Sequence, residues 1–194
     1  MVKLARKTKE THIELRLGIA RGADPTIAVS VVALPAADGA EPERLRFFEH
    51  MLTALARYAG LDLHVEARGD LRHHVMEDVA LAIGAALADA RPATAARFGE
   101  RTVPMDDALV QAVIDVGGRP YFAGKLPSRL YTHVLRSLAT ELGATLHVRV
   151  LRGVDRHHVI EAAFKATGLA LRQALAEGGA VFSTKGSVAW EREP

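Results

Sequence analysis

The histidines are the residues most able to do chemistry here. The chain has nine, and four of them stand as adjacent pairs, His73-His74 and His157-His158. Each pair is followed by a glutamate three residues after its second member, at Glu77 and Glu161. On a helix of 3.6 residues per turn, positions four apart share a face and positions three apart lie on neighbouring stripes. His73 with Glu77, and His157 with Glu161, are therefore expected to project together, with His74 and His158 beside them. Each motif then offers two imidazoles and a carboxylate in one direction. Imidazole with carboxylate suits manganese, iron, zinc or nickel, and the absence of cysteine removes thiolate sites and thiol nucleophiles. A single such pair would be ordinary polar surface.

The pairs gain meaning from duplication. His50 precedes His64 by 14 positions, and His133 precedes His147 by 14. The segments Glu49–Ala90 and Thr132–Glu177 thus repeat one another, with a join expected around Arg91–Met105. His50 and His133 occupy equivalent places ahead of the pairs and are further candidate ligands. Two histidine–carboxylate sets related by pseudo-symmetry can supply two octahedral shells and leave positions for a substrate. His64 and His147 alternate with apolar residues and are read as structural, and His12 as solvated.

The elements that must hold these side chains follow the same repeat. Leu45–Tyr58 carries Phe48, Leu52 and Leu55 at helical spacing, and Gly60 lies where a helix stop belongs. Leu61–Ala67 alternates as a strand, a Gly69-Asp70 turn follows, and Val75–Ala88 reads as a helix. The second copy gives helix Leu130–Leu142, Gly143, strand Thr145–Leu151, a turn at Gly153 and helix Val159–Ala176. Two strand-like runs precede each set: Ile13–Ile19 with Thr26–Leu34, and Leu109–Val116 with Pro120–Ala123. Gly117-Gly118 is a hairpin signal between the second pair. Ala36–Pro42 is a loop by composition. The expected fold is α+β, strand-strand-helix-strand-helix twice, with helices on one face of each sheet. The halves are residues 1–92 and 93–194, sharing one structural domain.

Composition sets the outer bounds. Of 194 residues, 49% are hydrophobic and 25% charged, which is globular and not disordered. No apolar run approaches the roughly 20 residues of a membrane span, and the basic start has no apolar core of a signal peptide. A cytoplasmic location is expected. A net charge of +2 with 5% aromatics does not suggest nucleic acid, but leaves cations for an anionic small molecule.

The ordered motifs resemble one known family. FFEHMLTALARYAGLDL, GDLRHHVMEDVALAIGAAL, RFGERTVPMDDALVQAVIDVGGRPY, DRHHVIEAAFKATGLALRQAL, the terminal STKG and the early TKETHIEL together resemble imidazoleglycerol-phosphate dehydratases over nearly the whole chain. The resemblance implies dehydration of imidazole glycerol phosphate to imidazole acetol phosphate in histidine biosynthesis. It implies two manganese ions that bind the imidazole as imidazolate, and a homo-oligomer of 24 chains with sites at subunit interfaces. By motif, the metal ligands would be His50, His73, His74, Glu77, His133, His157, His158 and Glu161. Glu10, with Glu161, would serve as acid/base, and Arg97, Arg119, Lys165, Ser183 and Lys185 would hold the phosphorylated substrate. The chain departs from the family pattern at Glu49, where aspartate is usual, at Ala54, where glutamine is common, in a short loop from Asp70 to His73, and in EPERLR ahead of the Phe-Phe pair. Two other readings use the same histidines: a two-metal phosphohydrolase, and a non-enzymatic module binding RNA or protein.

Overall fold

The computed structural model describes residues 1–20, 24–34 and 41–178. In chain order the elements are β1 (Val2–Lys7), β2 (Thr11–Ile19), β3 (Ile27–Ala33), β4 (Glu43–Arg44), α1 (Arg46–Ala59), β5 (Leu61–Gly69), α2 (Arg72–Ala90), β6 (Phe98–Met105), β7 (Ala108–Asp115), β8 (Tyr121–Gly124), α3 (Arg129–Leu142), β9 (Thr145–Arg152) and α4 (Arg156–Ala174). The strand-strand-helix-strand-helix order is present twice, and each copy has one further strand ahead of it. Most of the loop expected at Ala36–Pro42 lies outside the described residues, as do Ser183 and Lys185.

The two sheets repeat one topology. The first runs β1-β2-β5-β3-β4 and the second β6-β7-β9-β8. In both, the first three strands of the order pair antiparallel and the fourth joins parallel, β3 on β5 and β8 on β9. The parallel step forces a crossover, and α1 and α3 supply it. Period-2 alternation then sends one face of each strand inward, as Ile13, Leu15 and Leu17 do on β2 and Val110, Ala112 and Ile114 do on β7.

The helices lie between the sheets. α1 and α2 cover the first sheet, α3 and α4 the second, and the layers meet through α1 on α4 and α2 on α3. This doubles the buried face of each helix, which explains why α2 and α4 are rich in small apolar residues around much of their circumference. One continuous core joins both halves, with Phe48, Phe164, Met51 and Met76 among its largest fully buried members. Gly60 and Gly143 end α1 and α3 in the left-handed conformation, at φ 68° and 69°, as their position past the apolar runs predicts.

Besides the two-residue β4, two strands, β1 and β6, were hidden for physical reasons. β1 alternates inward Val2, Leu4 and Arg6 with outward Lys3, Ala5 and Lys7, and Arg6 breaks the apolar stripe. It is accepted because its guanidinium meets Asp78 of α2 at 2.8 Å. β6 occupies the region expected to be the join; its buried Gly99 carries no apolar signal, and Arg101, two residues on, is exposed.

Candidate metal centres

All four helices begin at the same end of the molecule, around a cleft of about 680 Å³ bordered by Phe47, Arg72, Tyr131 and His157. The histidine motifs occupy these first turns. One cluster joins His50 of α1 to His157 and Glu161 of α4, and a second joins His133 of α3 to His73 and Glu77 of α2. In the first, Nε2 of His50 and Nε2 of His157 lie 3.3 and 3.1 Å from Glu161 Oε2. In the second, Nε2 of His73 lies 3.2 Å from Glu77 Oε2, and Nε2 of His133 3.0 Å from Glu77 Oε1. Each cluster therefore takes its pair motif from one half of the chain and its single histidine from the other. The duplicated halves need each other because the helix layers meet there.

One expectation is corrected. The two imidazoles of a pair do not project together. Consecutive helical residues are about 100° apart, and the rings of His73 and His74 stand at 89°, those of His157 and His158 at 90°. His74 and His158 turn away from their own helix's cluster. His74 Nδ1 lies 2.8 Å from Asp70 Oδ1 and 3.6 Å from Glu10 Oε2. His158 Nδ1 lies 2.7 Å from Asp107 Oδ1, with Asp106 Oδ2 3.3 Å from its Nε2. Glu10, Asp70 and His74 form a third group close enough to share an ion.

The donor set fits a divalent metal. His133 Nε2 is buried and makes no hydrogen bond, although Glu77 Oε1 is 3.0 Å away. A ring nitrogen facing a carboxylate out of hydrogen-bond alignment is arranged as a ligand pair is. Two imidazoles and one carboxylate give three positions of an octahedral shell, leaving three more. Glu161 is buried, which raises its carboxyl pKa, but Lys165 and then His50 outweigh this and hold it below the ordinary value, keeping it an anion. Lys165 Nζ is 2.8 Å from Glu161 Oε1, as the four-residue spacing predicts.

Glu10 sits in the β1–β2 turn. Its backbone N–H and that of Thr11 donate to Thr8 Oγ1, and Thr11 Oγ1 bonds Asp78 of α2. The threonines of TKET thus fix the turn that carries the glutamate. The sequence marks Asp70 only as a turn residue and does not mark Asp78, Asp106 or Asp107; aspartates beside turns are too common to signal anything alone.

Arg97 and Arg119 lie at the other end of the second sheet. Arg97 has φ 75°, and its Nε and Nη2 donate to Asp115 at 2.8 and 2.9 Å. Nη1 is not engaged by Asp115. The Arg97 N–H bonds Ala174 O at the C-terminal end of α4, whereas His157 is in that helix's first turn. Seventeen residues of helix separate them by roughly 25 Å. Arg119 is in the turn before β8, where its carbonyl accepts from Thr145 at the start of β9. Among the described residues, His64 and His147 join no cluster; His147 lies against Tyr121, with ring centroids 5.7 Å apart.

Two of the sequence departures meet. The carboxylate of Glu49 receives Arg44 Nε at 2.9 Å on both oxygens, and also the Val31 N–H at 2.8 Å. The extra methylene of glutamate is matched by the arginine of EPERLR, and the pair anchors α1 beside His50. Ala54, one turn further along, is buried.

A duplicated α+β frame with two crossed histidine–carboxylate clusters defines the class: an enzyme scaffold carrying paired candidate metal centres. A family model described as imidazoleglycerol-phosphate dehydratase matches residues 44–171. An imidazoleglycerol-phosphate dehydratase from an Anaeromyxobacter species is 43% identical, covering 95% of this chain and 91% of its own, and one from Pyrobaculum aerophilum is 42% identical, covering 93% and 96%. The crystal structure of the Pyrococcus furiosus enzyme superposes with TM-score 0.76 at 36% identity, covering 95% of this chain and 100% of that one. The Staphylococcus aureus enzyme gives 0.71 at 29% identity, covering 92% and 98%. The chain belongs to the imidazoleglycerol-phosphate dehydratase family, a family of hydro-lyases.

Proposed function

We propose that the protein dehydrates imidazole glycerol phosphate to imidazole acetol phosphate in histidine biosynthesis, with two manganese ions per active site shared between copies of the chain. The observation that carries the reading is the arrangement of the eight ligands. Each chain holds two three-ligand clusters, and each pair motif turns its remaining imidazole, His74 or His158, away from them. Those outward imidazoles suit the open positions of clusters in a neighbouring copy. Ions held by these clusters would supply Lewis-acid polarisation and a template for the imidazole ring as imidazolate.

The chain's own groups do the rest. Glu10 travels with His74, 3.6 Å from its ring, so a copy that lends His74 also brings a carboxylate to the carbon chain of the substrate. There it can take up and return the proton of the carbon–hydrogen bond; Glu161, as anion, holds its cluster together. The substrate's phosphate needs forked donors, which Arg97 and Arg119 offer. Because Arg97 is roughly 25 Å from the clusters of its own chain, and the substrate is far shorter, these arginines serve a site whose clusters belong to another copy. Lys165 adds a cation beside Glu161, and Ser183 and Lys185 are assigned to the phosphate by the family motif.

The test is turnover with and without metal. Dialysis against a chelator should abolish formation of imidazole acetol phosphate, and manganese should restore it. Full activity in metal-free protein, or release of inorganic phosphate in place of the dehydrated product, would overturn the proposal, the latter in favour of a phosphohydrolase.

A further inference from the structure

The two outward imidazoles are held by carboxylates, and the two halves do this differently. In the first half Asp70 lies one residue ahead of the N-cap of α2, where its Oδ1 accepts from both the Leu71 N–H at 2.6 Å and His74 Nδ1 at 2.8 Å. In the second half the connection into the helix is one residue longer, but its aspartate, Asp155, stands one residue nearer the histidine pair and is itself the N-cap, accepting from the His157 and His158 N–H groups. Both of these bonds go to the backbone, and none runs from Asp155 to the His158 ring. Asp107 of the β6–β7 turn takes that place: Oδ2 accepts from the Val154 and Asp155 N–H groups at 2.6 and 3.1 Å, and Oδ1 faces His158 Nδ1 at 2.7 Å.

We infer that Asp70 and Asp107 are positioning residues that hold His74 and His158 in the Nδ1–H tautomer, with Nε2 presented outward as a metal ligand for another copy; at His158 the exposed Asp106 stands beside that nitrogen, 3.3 Å away, without hydrogen-bonding it. A neutral imidazole carries one N–H, and a carboxylate at Nδ1 fixes it there. The inference rests on the shared-metal reading above. It also separates the two hairpin acids. Asp107 is committed to a histidine and to two backbone donors, whereas Asp70 takes over the equivalent duty beside Glu10, leaving Glu10 available for the substrate.

The two carboxylates respond differently to amidation. At position 107 both backbone N–H groups require an oxygen, so Asp107→Asn turns its NH₂ toward His158 and imposes the Nε2–H tautomer. At position 70 a single oxygen serves both donors, so Asp70→Asn can keep its acceptor in place. Manganese titration followed by electron paramagnetic resonance should show Asp107→Asn weakened about 10- to 100-fold at one of the two ions, Asp70→Asn weakened much less, and Asp70→Ala weakened like Asp107→Asn. Asp155→Asn removes the same charge nearby without touching a ring, and should bind manganese as the wild type does. Equal affinity in wild type, Asp107→Asn and Asp70→Ala would overturn the inference, as would an equal loss in Asp155→Asn. A long-range proton–nitrogen spectrum of the metal-free wild type at alkaline pH needs no variant: two histidines should show the Nδ1–H pattern, and Nε2–H at both would overturn the assignment. Wild-type protein that binds no manganese would sink the shared-metal reading, and the spectrum would still decide the tautomers.

Discussion

Glu10 and the ligand histidines differ in what their loss should do. Glu10 lies outside the two clusters that join the helices, in the third group with Asp70 and His74, and is assigned to proton transfer, so Glu10→Gln should retain manganese while turnover falls by about 100- to 10,000-fold. Metal analysis beside kcat checks this, and loss of metal would reassign Glu10 as a ligand. Arg97→Ala and Arg119→Ala remove binding shared by the ground and transition states, so KM should rise with kcat little changed. The candidate ligands were legible in the sequence because histidine pairs repeated in register with lone histidines have few other uses. Their grouping was not: that His50 joins His157 and not His73 depends on which helices touch, and the divergence of adjacent rings shows only once the first turns are placed. Asp70 and Asp107 were illegible because nothing distinguishes an aspartate that holds a ring from one that closes a turn.

At the scale of elements, each cluster depends on a close helix pair. Gly84 of α2 and Gly168 of α4 are equivalent positions, and a Cβ at either would lie 2.6 Å from a carbonyl, of Leu138 on α3 or Leu55 on α1. Alanine would gain about 1 kcal/mol of helix propensity, but the overlap with backbone should cost more, giving a net destabilisation of about 1–3 kcal/mol. Denaturant midpoints of Gly84→Ala and Gly168→Ala measure this, and weaker manganese binding should accompany it as the ligands on the facing helices move apart. The turn at the far end has its own signature. Burial works to raise the Asp115 pKa, but Arg97 and the Gly117 N–H prevail and hold it below the ordinary value. A carboxylate lowered on folding contributes stability above its unfolded pKa and loses it as pH falls through the folded one. Asp115→Asn should therefore be less stable than wild type at neutral pH, and the gap in melting temperature should close in acid. The helices, the glycine stops of α1 and α3, and six strands could be read from the sequence. β1 and β6 could not, since an ion-paired Arg6 and a close-packed Gly99 stand where apolar residues would have announced a strand.

The whole molecule explains why the chain is duplicated. Two copies of one unit face each other through their helices, and the crossing of lone histidines with pair motifs creates both clusters at one end. The arginines assigned to phosphate are at the other end, so on the proposed reading a complete site draws on more than one chain. Closed symmetry is the usual outcome for a homo-oligomer, and the family resemblance points to 24 chains. Metal that bridges copies stabilises the assembled state by mass action, and its ligands must be neutral imidazole or carboxylate to bind. Light scattering of the metal-free and manganese-loaded protein at neutral pH tests this most directly. A smaller species is expected without metal and a large closed oligomer, of 24 chains, with it; an identical mass in both conditions, or a monomer in both, would contradict a metal site shared between copies.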